Sequence, residues 1–109
     1  MSRTLKQLQA DSEAVSQLYA KRCDINRDDD WQLLKLQEEV GELGSAYLRM
    51  TQRGRQKGAS LNEIRLEFES ELADCLAQIV LIAERFEVDL DGAIERKWFQ
   101  YLDDARAAS

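Results

Sequence analysis

The stretch SLNEIRLEFESELADCLAQIVLIAERF at residues 60–86 decides the fold that this sequence predicts. It opens with Ser60 and Glu63, which match the S-x-x-E pattern of a capping box and mark the start of a helix. Apolar residues then recur at steps of three and four, the spacing that keeps side chains on one face of an α-helix. These residues are Leu61, Ile64, Phe68, Leu72, Cys75, Ile79, Ile82 and Phe86. The sequence therefore predicts one long amphipathic helix here.

The segments on both sides show the same helical spacing, and no alternating, strand-like run occurs in the sequence. We expect a first helix over about residues 3–22. A second helix begins near Asp29 or Asp30, either of which can cap it, and runs to the glycine-containing loop at 51–60. A fourth helix follows Asp89 and runs to the C-terminal tail. The sequence thus predicts an all-α bundle of four helices in a single domain, residues 1–109.

The composition excludes several kinds of catalytic site. The chain contains no histidine, which rules out Ser-His and Cys-His nucleophiles and imidazole zinc sites. Its two cysteines, Cys23 and Cys75, are far apart in the sequence and form no CxxC motif. The formal net charge of −6 argues against nucleic acid as a partner and is compatible with cation binding.

The longest apolar run, Ile79 to Ala83, is too short to cross a bilayer, and the N-terminal region lacks a stretch of signal-peptide length. Two cysteines in helical segments also favour a reducing compartment over a disulfide framework. We therefore expect a cytoplasmic protein with no membrane partner.

Two pairs of acidic residues take the same position relative to the apolar faces of their helices. Glu39 and Glu42 lie three and six residues after Leu36, and Glu71 and Asp74 lie three and six residues after Phe68. Carboxylates three residues apart on a helix repel each other, so two matched pairs suggest a compensating cation. Packing the two helices together would bring four carboxylates towards one point, a ligand set suited to Mg²⁺ or Mn²⁺.

Glu38 lies further round the second helix than these four residues. We expect it to act as a base that takes a proton from an attacking water molecule. A solvated acidic surface is the ordinary alternative for any one of these residues, because acids on amphipathic helices are usually exposed.

The strings LKLQEEVGEL at 34–43 and ESELADCLAQIVLIAERFEVDL at 69–90 resemble the MazG-type all-α nucleoside triphosphate pyrophosphohydrolases. That family has the signature E-E-x-x-E followed, after a gap, by E-x-x-D. The resemblance covers roughly residues 31–98. It implies a MazG-like bundle completed by homo-oligomerisation, and Mg²⁺-dependent hydrolysis of a (d)NTP to the monophosphate and pyrophosphate. The implied role is housekeeping of the nucleotide pool.

Residue by residue, the resemblance makes Glu39, Glu42, Glu71 and Asp74 the metal ligands, and Glu38 the first glutamate of the signature. It also implies that three further residues bind the substrate. Lys35 and Lys97 match positions able to contact phosphate, although each is equally well explained as an ordinary surface lysine. Trp31 matches an aromatic residue that lies near the base in some relatives.

Two other functions remain open from the sequence. Phosphoribosyl-ATP pyrophosphohydrolases share the acidic signature, and a catalytically silent helical interaction module would need no signature at all. Apolar stripes longer than one small bundle can cover, together with Trp98 and Tyr101, predict a homodimer or homotetramer. The cations of the 51–60 loop are expected to be either solvated or folded over the triphosphate.

Overall fold

The computed structural model describes residues 2–108, and within that range it contains helices and no strand. The helices are α1 (Leu5–Cys23), α2 (Asp29–Met50), α3 (Leu61–Arg85), α4 (Leu90–Lys97) and α5 (Leu102–Ala108), with a 3₁₀ turn at Phe99–Tyr101 between the last two. The all-α prediction is therefore confirmed. Within the same range, no helix is long and apolar enough to span a bilayer.

Side-chain caps determine where the three long helices begin. The predicted capping box of Ser60 and Glu63 is present at the start of α3, and Thr4 forms a second one with Gln7 at the start of α1. The cap of α2 is Asp28, whose carboxylate accepts a hydrogen bond from the backbone N–H of Trp31 at 2.8 Å. The prediction that Asp29 or Asp30 caps α2 was therefore wrong, and both residues lie in the first helical turn.

The predicted fourth helix is broken in two. It stops at Lys97, passes through the 3₁₀ turn and resumes at Leu102 as α5. The break coincides with Trp98, Phe99 and Tyr101, and aromatic side chains lose rotamer freedom in a helix. All three of these aromatic residues are exposed, so tertiary packing does not compensate for the weak helix propensity of this segment. Residues 90–108, the C-terminal segment, make their main contacts within the segment itself.

Helix α3 packs against both α2 and α1. Ion pairs at both ends of the α2–α3 pair show that these two helices run antiparallel. Arg49 at the end of α2 bonds to Glu67 near the start of α3, and Arg85 at the end of α3 bonds to Asp29 at the start of α2. These contacts bring the middle of α2, with its acidic residues, to the middle of α3.

The buried face of α2 differs from the predicted one. Helical spacing predicts burial of an apolar stripe on α2 made of Leu33, Leu36, Val40, Leu43, Tyr47 and Met50. Leu36, Leu43 and Met50 are half-buried, whereas Leu33, Val40 and Tyr47 are 56%, 49% and 45% exposed. The buried residues of α2 are Gln32, Glu39 and Ala46, each one position earlier in the sequence. The buried face is therefore turned from the centre of the predicted stripe towards Glu39, by less than the rotation of one residue (about 100°), because Leu36, Leu43 and Met50 stay half-buried. This rotation puts an acidic residue at the contact with α3.

Candidate metal centre and adjoining pocket

Three carboxylates from two helices meet at the α2–α3 contact. One carboxylate oxygen from each of Glu39, Glu42 and Glu71 lies within 4.8 Å of the other two. Helix α2 supplies Glu39 and Glu42 from successive turns, and α3 supplies Glu71. We call these three residues the acid cluster. Their oxygens are close enough to coordinate one hard cation, because such ions bind carboxylate oxygens at about 2.0–2.6 Å.

Two oxygens of the acid cluster lack a hydrogen-bond partner. Glu39 is only 7% exposed, and its Oε2 atom and the Oε2 atom of Glu71 are buried without a partner among residues 2–108. A buried carboxylate oxygen with no donor has lost its hydration and gained nothing in return. A bound cation would supply the missing interaction, so the donor set fits a divalent metal.

Burial and like charge both oppose ionisation in the acid cluster. Burial, followed by the neighbouring charges of Glu42 and Asp74, raises the pKa of Glu39. The pKa of Glu71 is raised by the same causes in the same order. Cys75, which the apolar spacing of α3 predicted to be buried, is buried, and the charges of Glu39 and Asp74 add to the effect of burial in raising the pKa of its thiol. A divalent cation would offset this repulsion.

Asp74, the predicted fourth ligand, lies beside the acid cluster and is not one of the three residues that converge. It is exposed and lines the adjoining pocket, while its charge still raises the pKa of Glu39 and of Glu71. Asp74 thus lies between the acid cluster and the pocket.

Lys35 connects the acid cluster to the predicted base. Its Nζ atom lies 2.5 Å from Oε1 of Glu38 and 3.7 Å from Oε1 of Glu39. The hydrogen bond to Glu38, more than any other effect, raises the pKa of Lys35. The side chain of Glu38 is 55% exposed and lies outside the acid cluster, so water can reach it.

A pocket of about 480 Å³ opens beside the acid cluster, and its walls come from α1, the start of α2 and α3. Trp31 and Lys35 both line it, as Asp74 does. The volume falls in the range typical of small-molecule sites. The structure thus brings two of the three predicted substrate-binding residues to one cavity.

Lys97, the third predicted substrate-binding residue, is not brought to the site within one chain. It is exposed at the end of α4, and it lines neither the pocket nor the acid cluster. The basic loop at 51–60 also contributes no residue to the pocket lining. Arg49 holds this loop against α2 with hydrogen bonds to the carbonyl oxygens of Arg55 (2.9 Å) and Gln56 (3.0 Å).

Helix α1 supplies pocket residues that the sequence analysis missed. Leu8, Val15 and Tyr19 line the pocket, as does Gln78 on α3. The apolar spacing of α1 predicted packing and nothing more, because this helix has no motif. The only signal at Gln78 was a polar residue within an apolar run, one turn after Asp74.

Comparisons of this chain with protein-family models, with curated proteins and with solved structures found no match. Function is accordingly inferred from the geometry of this site alone. The three converging carboxylates, the unpartnered oxygens and the pocket with aromatic and basic residues all lie within one region of the molecule.

Proposed function

We propose that this chain is a Mg²⁺-dependent nucleoside triphosphate pyrophosphohydrolase of the MazG type, which converts a (d)NTP into the monophosphate and pyrophosphate. The observation that supports this most is the convergence of Glu39, Glu42 and Glu71, with buried oxygens that have no protein donor. Three of the five acidic residues of the signature thus belong to one cluster, while Glu38 and Asp74 lie beside it.

The acid cluster and Asp74 would hold the metal. Mg²⁺ fits an all-oxygen site and keeps several water ligands that phosphate oxygens can replace, and Mn²⁺ has similar preferences. When bound, the metal supplies positive charge that neutralises the phosphates. The chain's own net charge of −6 would otherwise repel a triphosphate.

The protein residues around the acid cluster bind the substrate and move a proton. Glu38 is open to solvent and accepts a proton from the attacking water molecule. Lys35 lies between the acid cluster and the pocket, where its ammonium group donates hydrogen bonds to phosphate oxygens. Trp31 lines the pocket and offers its ring to the nucleobase.

The proposed active form is a homodimer or homotetramer. The stripe of α2 that includes Leu33 and Val40 is exposed, and so are the aromatic residues of the C-terminal segment. Exposed apolar surface of this kind favours an interface. A symmetric interface would bury these surfaces. It would also allow Lys97, which does not line the pocket of its own chain, to reach the nucleotide of a partner subunit.

Pyrophosphate release tests the proposed function directly. The purified protein is assayed with each of the common (d)NTPs and with phosphoribosyl-ATP, in Mg²⁺ and in Mn²⁺, with the Glu42→Gln variant as the inactive control. We expect metal-dependent release of pyrophosphate and monophosphate from one or more (d)NTPs. Turnover of phosphoribosyl-ATP alone would assign the related activity instead. Absence of turnover with the whole panel would favour a silent interaction module.

A further inference from the structure

Gln78 is a polar residue in a pocket wall with much apolar surface. It lies on α3, one turn after Asp74, and lines the pocket with Leu8, Val15 and Leu81. Its Oε1 atom is buried and has no hydrogen-bond partner among the described residues 2–108. Of the two amide atoms of Gln78, only the oxygen is buried without a partner, and rotation about the terminal torsion, which is broad in glutamine, brings this oxygen to the cavity.

An unpartnered amide oxygen is unfavourable in apolar surroundings unless a ligand supplies a donor. The ligand that fits must therefore present an N–H or O–H group at the α3 wall. Trp31 and Tyr19 line the same pocket and offer flat rings. A planar heterocycle with a hydrogen-bond donor on its edge matches both features, because aromatic rings stack and the edge is left for the amide.

We infer that Gln78 determines base specificity by accepting a hydrogen bond from the exocyclic amino group of a nucleobase such as cytosine or adenine. This inference rests on the proposed function, since the base is that of the triphosphate bound at the acid cluster. Asp74 and Gln78 are about 6 Å apart along the helix axis, so the phosphate end and the base end of one nucleotide lie against neighbouring turns of α3. Thymine and uracil have a carbonyl group where cytosine has the amino group, and that carbonyl oxygen would repel the Gln78 oxygen.

Binding of nucleosides tests this recognition without metal or hydrolysis. Deoxycytidine, deoxyadenosine and thymidine are titrated into ¹⁵N-labelled protein, and the side-chain amide signal of Gln78 is followed by NMR. We expect at least one of the amino-bearing nucleosides to bind about tenfold more tightly than thymidine and to shift the Gln78 signal. Gln78→Met removes the acceptor and should reduce this preference to less than about twofold. Gln78→Glu keeps an acceptor oxygen and should retain the preference.

Gln37→Met is the matched control, because Gln37 is exposed on α2 and does not line the pocket. Three outcomes would overturn the inference. Thymidine could bind as tightly as the amino-bearing nucleosides, no nucleoside could bind, or folded Gln78→Met could keep the wild-type preference. If the protein releases pyrophosphate but Gln78→Met prefers the same nucleosides as the wild type, the inference is rejected and the proposed function stands. The expected nucleoside preference without any pyrophosphate release would reject the proposed function and keep base recognition.

Discussion

The Nζ atom of Lys35 lies 3.7 Å from Oε1 of Glu39, a residue one turn later on α2 that is almost completely buried. Burial and the neighbouring carboxylates both disfavour the ionised form of Glu39, and the charge of Lys35 partly offsets these two effects. Lys35 also lines the pocket. One side chain is thus positioned both to stabilise the metal-free cluster and to contact a substrate.

Replacing Lys35 with methionine should expose both roles. The Lys35 side chain is 26% exposed, so loss of its charge should lower the free energy of unfolding of the metal-free protein by about 1 kcal/mol. Urea unfolding in the presence of a chelator measures this change. The variant should also have a raised KM for the triphosphate. Lys21→Met, on the exposed surface of α1, is the control. Equal losses in the two variants would show that Lys35 has no special relation to the cluster.

Glu42→Gln should abolish turnover and weaken Mn²⁺ binding at least tenfold while leaving the helical circular dichroism intact. The amide removes one ligand charge and also relieves repulsion within the acid cluster, so the fold has no reason to weaken. Asp74→Asn should also abolish turnover. Its effect on metal affinity should be smaller, because Asp74 lies beside the converging oxygens. Titration with Mn²⁺ followed by electron paramagnetic resonance distinguishes the two variants.

The control for these variants is Glu95→Gln, which removes an exposed carboxylate on α4. It should retain wild-type metal affinity and turnover. Near-wild-type turnover in Glu42→Gln would show that the ligand assignment is wrong.

Glu38→Gln should lower kcat much more than it lowers metal affinity. The side chain of Glu38 is bonded to Lys35 and lies outside the acid cluster, so its amide variant removes a proton acceptor and leaves the ligand oxygens in place. Steady-state kinetics at saturating Mg²⁺, together with the Mg²⁺ dependence of the rate, separates the two effects. A large increase in the Mg²⁺ concentration required would instead make Glu38 a ligand.

The ion pair of Glu13 with Arg27 should make stability depend on pH. The hydrogen bond from Arg27 is the main cause that lowers the pKa of Glu13 below 4.5, its ordinary value. The carboxylate of Glu13 therefore binds a proton less readily in the folded state than in the unfolded state. The resulting stabilisation is complete above about pH 4.5 and disappears as the pH falls through the lowered pKa.

Glu13→Gln should accordingly reduce the free energy of unfolding by about 1 kcal/mol at pH 7, because both partners are less than a quarter exposed. The difference from wild type should vanish in strong acid, as urea unfolding across pH 2–7 would record. Glu69→Gln removes an exposed pair with Arg65 and should change stability little at any pH. A deficit for Glu13→Gln that stays constant with pH would contradict the ion-pair explanation.

Light scattering of a dilute solution should give at least twice the chain mass of 12.6 kDa. Trp98 and Tyr101 are 69% and 61% exposed on the C-terminal segment, and replacing both with serine should shift the protein towards the monomer. Leu61→Ser is the matched control, since Leu61 is 70% exposed at the start of α3. A wild-type monomer with full activity would refute the oligomeric proposal. Dissociation by Leu61→Ser alone would move the interface away from the C-terminal segment.

Local signals in the sequence predicted the helices well. The capping box of Ser60 and Glu63 identified the start of α3, and helical spacing identified each long helix. These signals depend on residues within one or two turns of each other, so a single sequence contains them in full. The break after Lys97 was missed because it arises from weak propensity in a segment that lacks tertiary support.

The rotation of α2 could not be predicted in the same way. Apolar periodicity predicted burial of Leu33, Val40 and Tyr47, whereas the structure buries Gln32, Glu39 and Ala46. Spacing along one helix fixes the angles between its own side chains, but it does not fix how that helix is turned against another. It also does not show whether an apolar stripe is covered by the same chain or by a second one. For the same reason, spacing grouped Asp74 with the other three acidic residues, although it lies beside them.

The two ion pairs at opposite ends of the α2–α3 pair have a consequence for how the helices can slide. Arg49 with Glu67 and Arg85 with Asp29 form together only in the observed longitudinal register of the two helices. A slip by one turn would displace Glu71 by about 5.4 Å along the axis, which is more than the 4.8 Å within which the acid cluster converges. The longitudinal register of α2 against α3 therefore determines the geometry of the candidate metal site as well as the packing of the two helices.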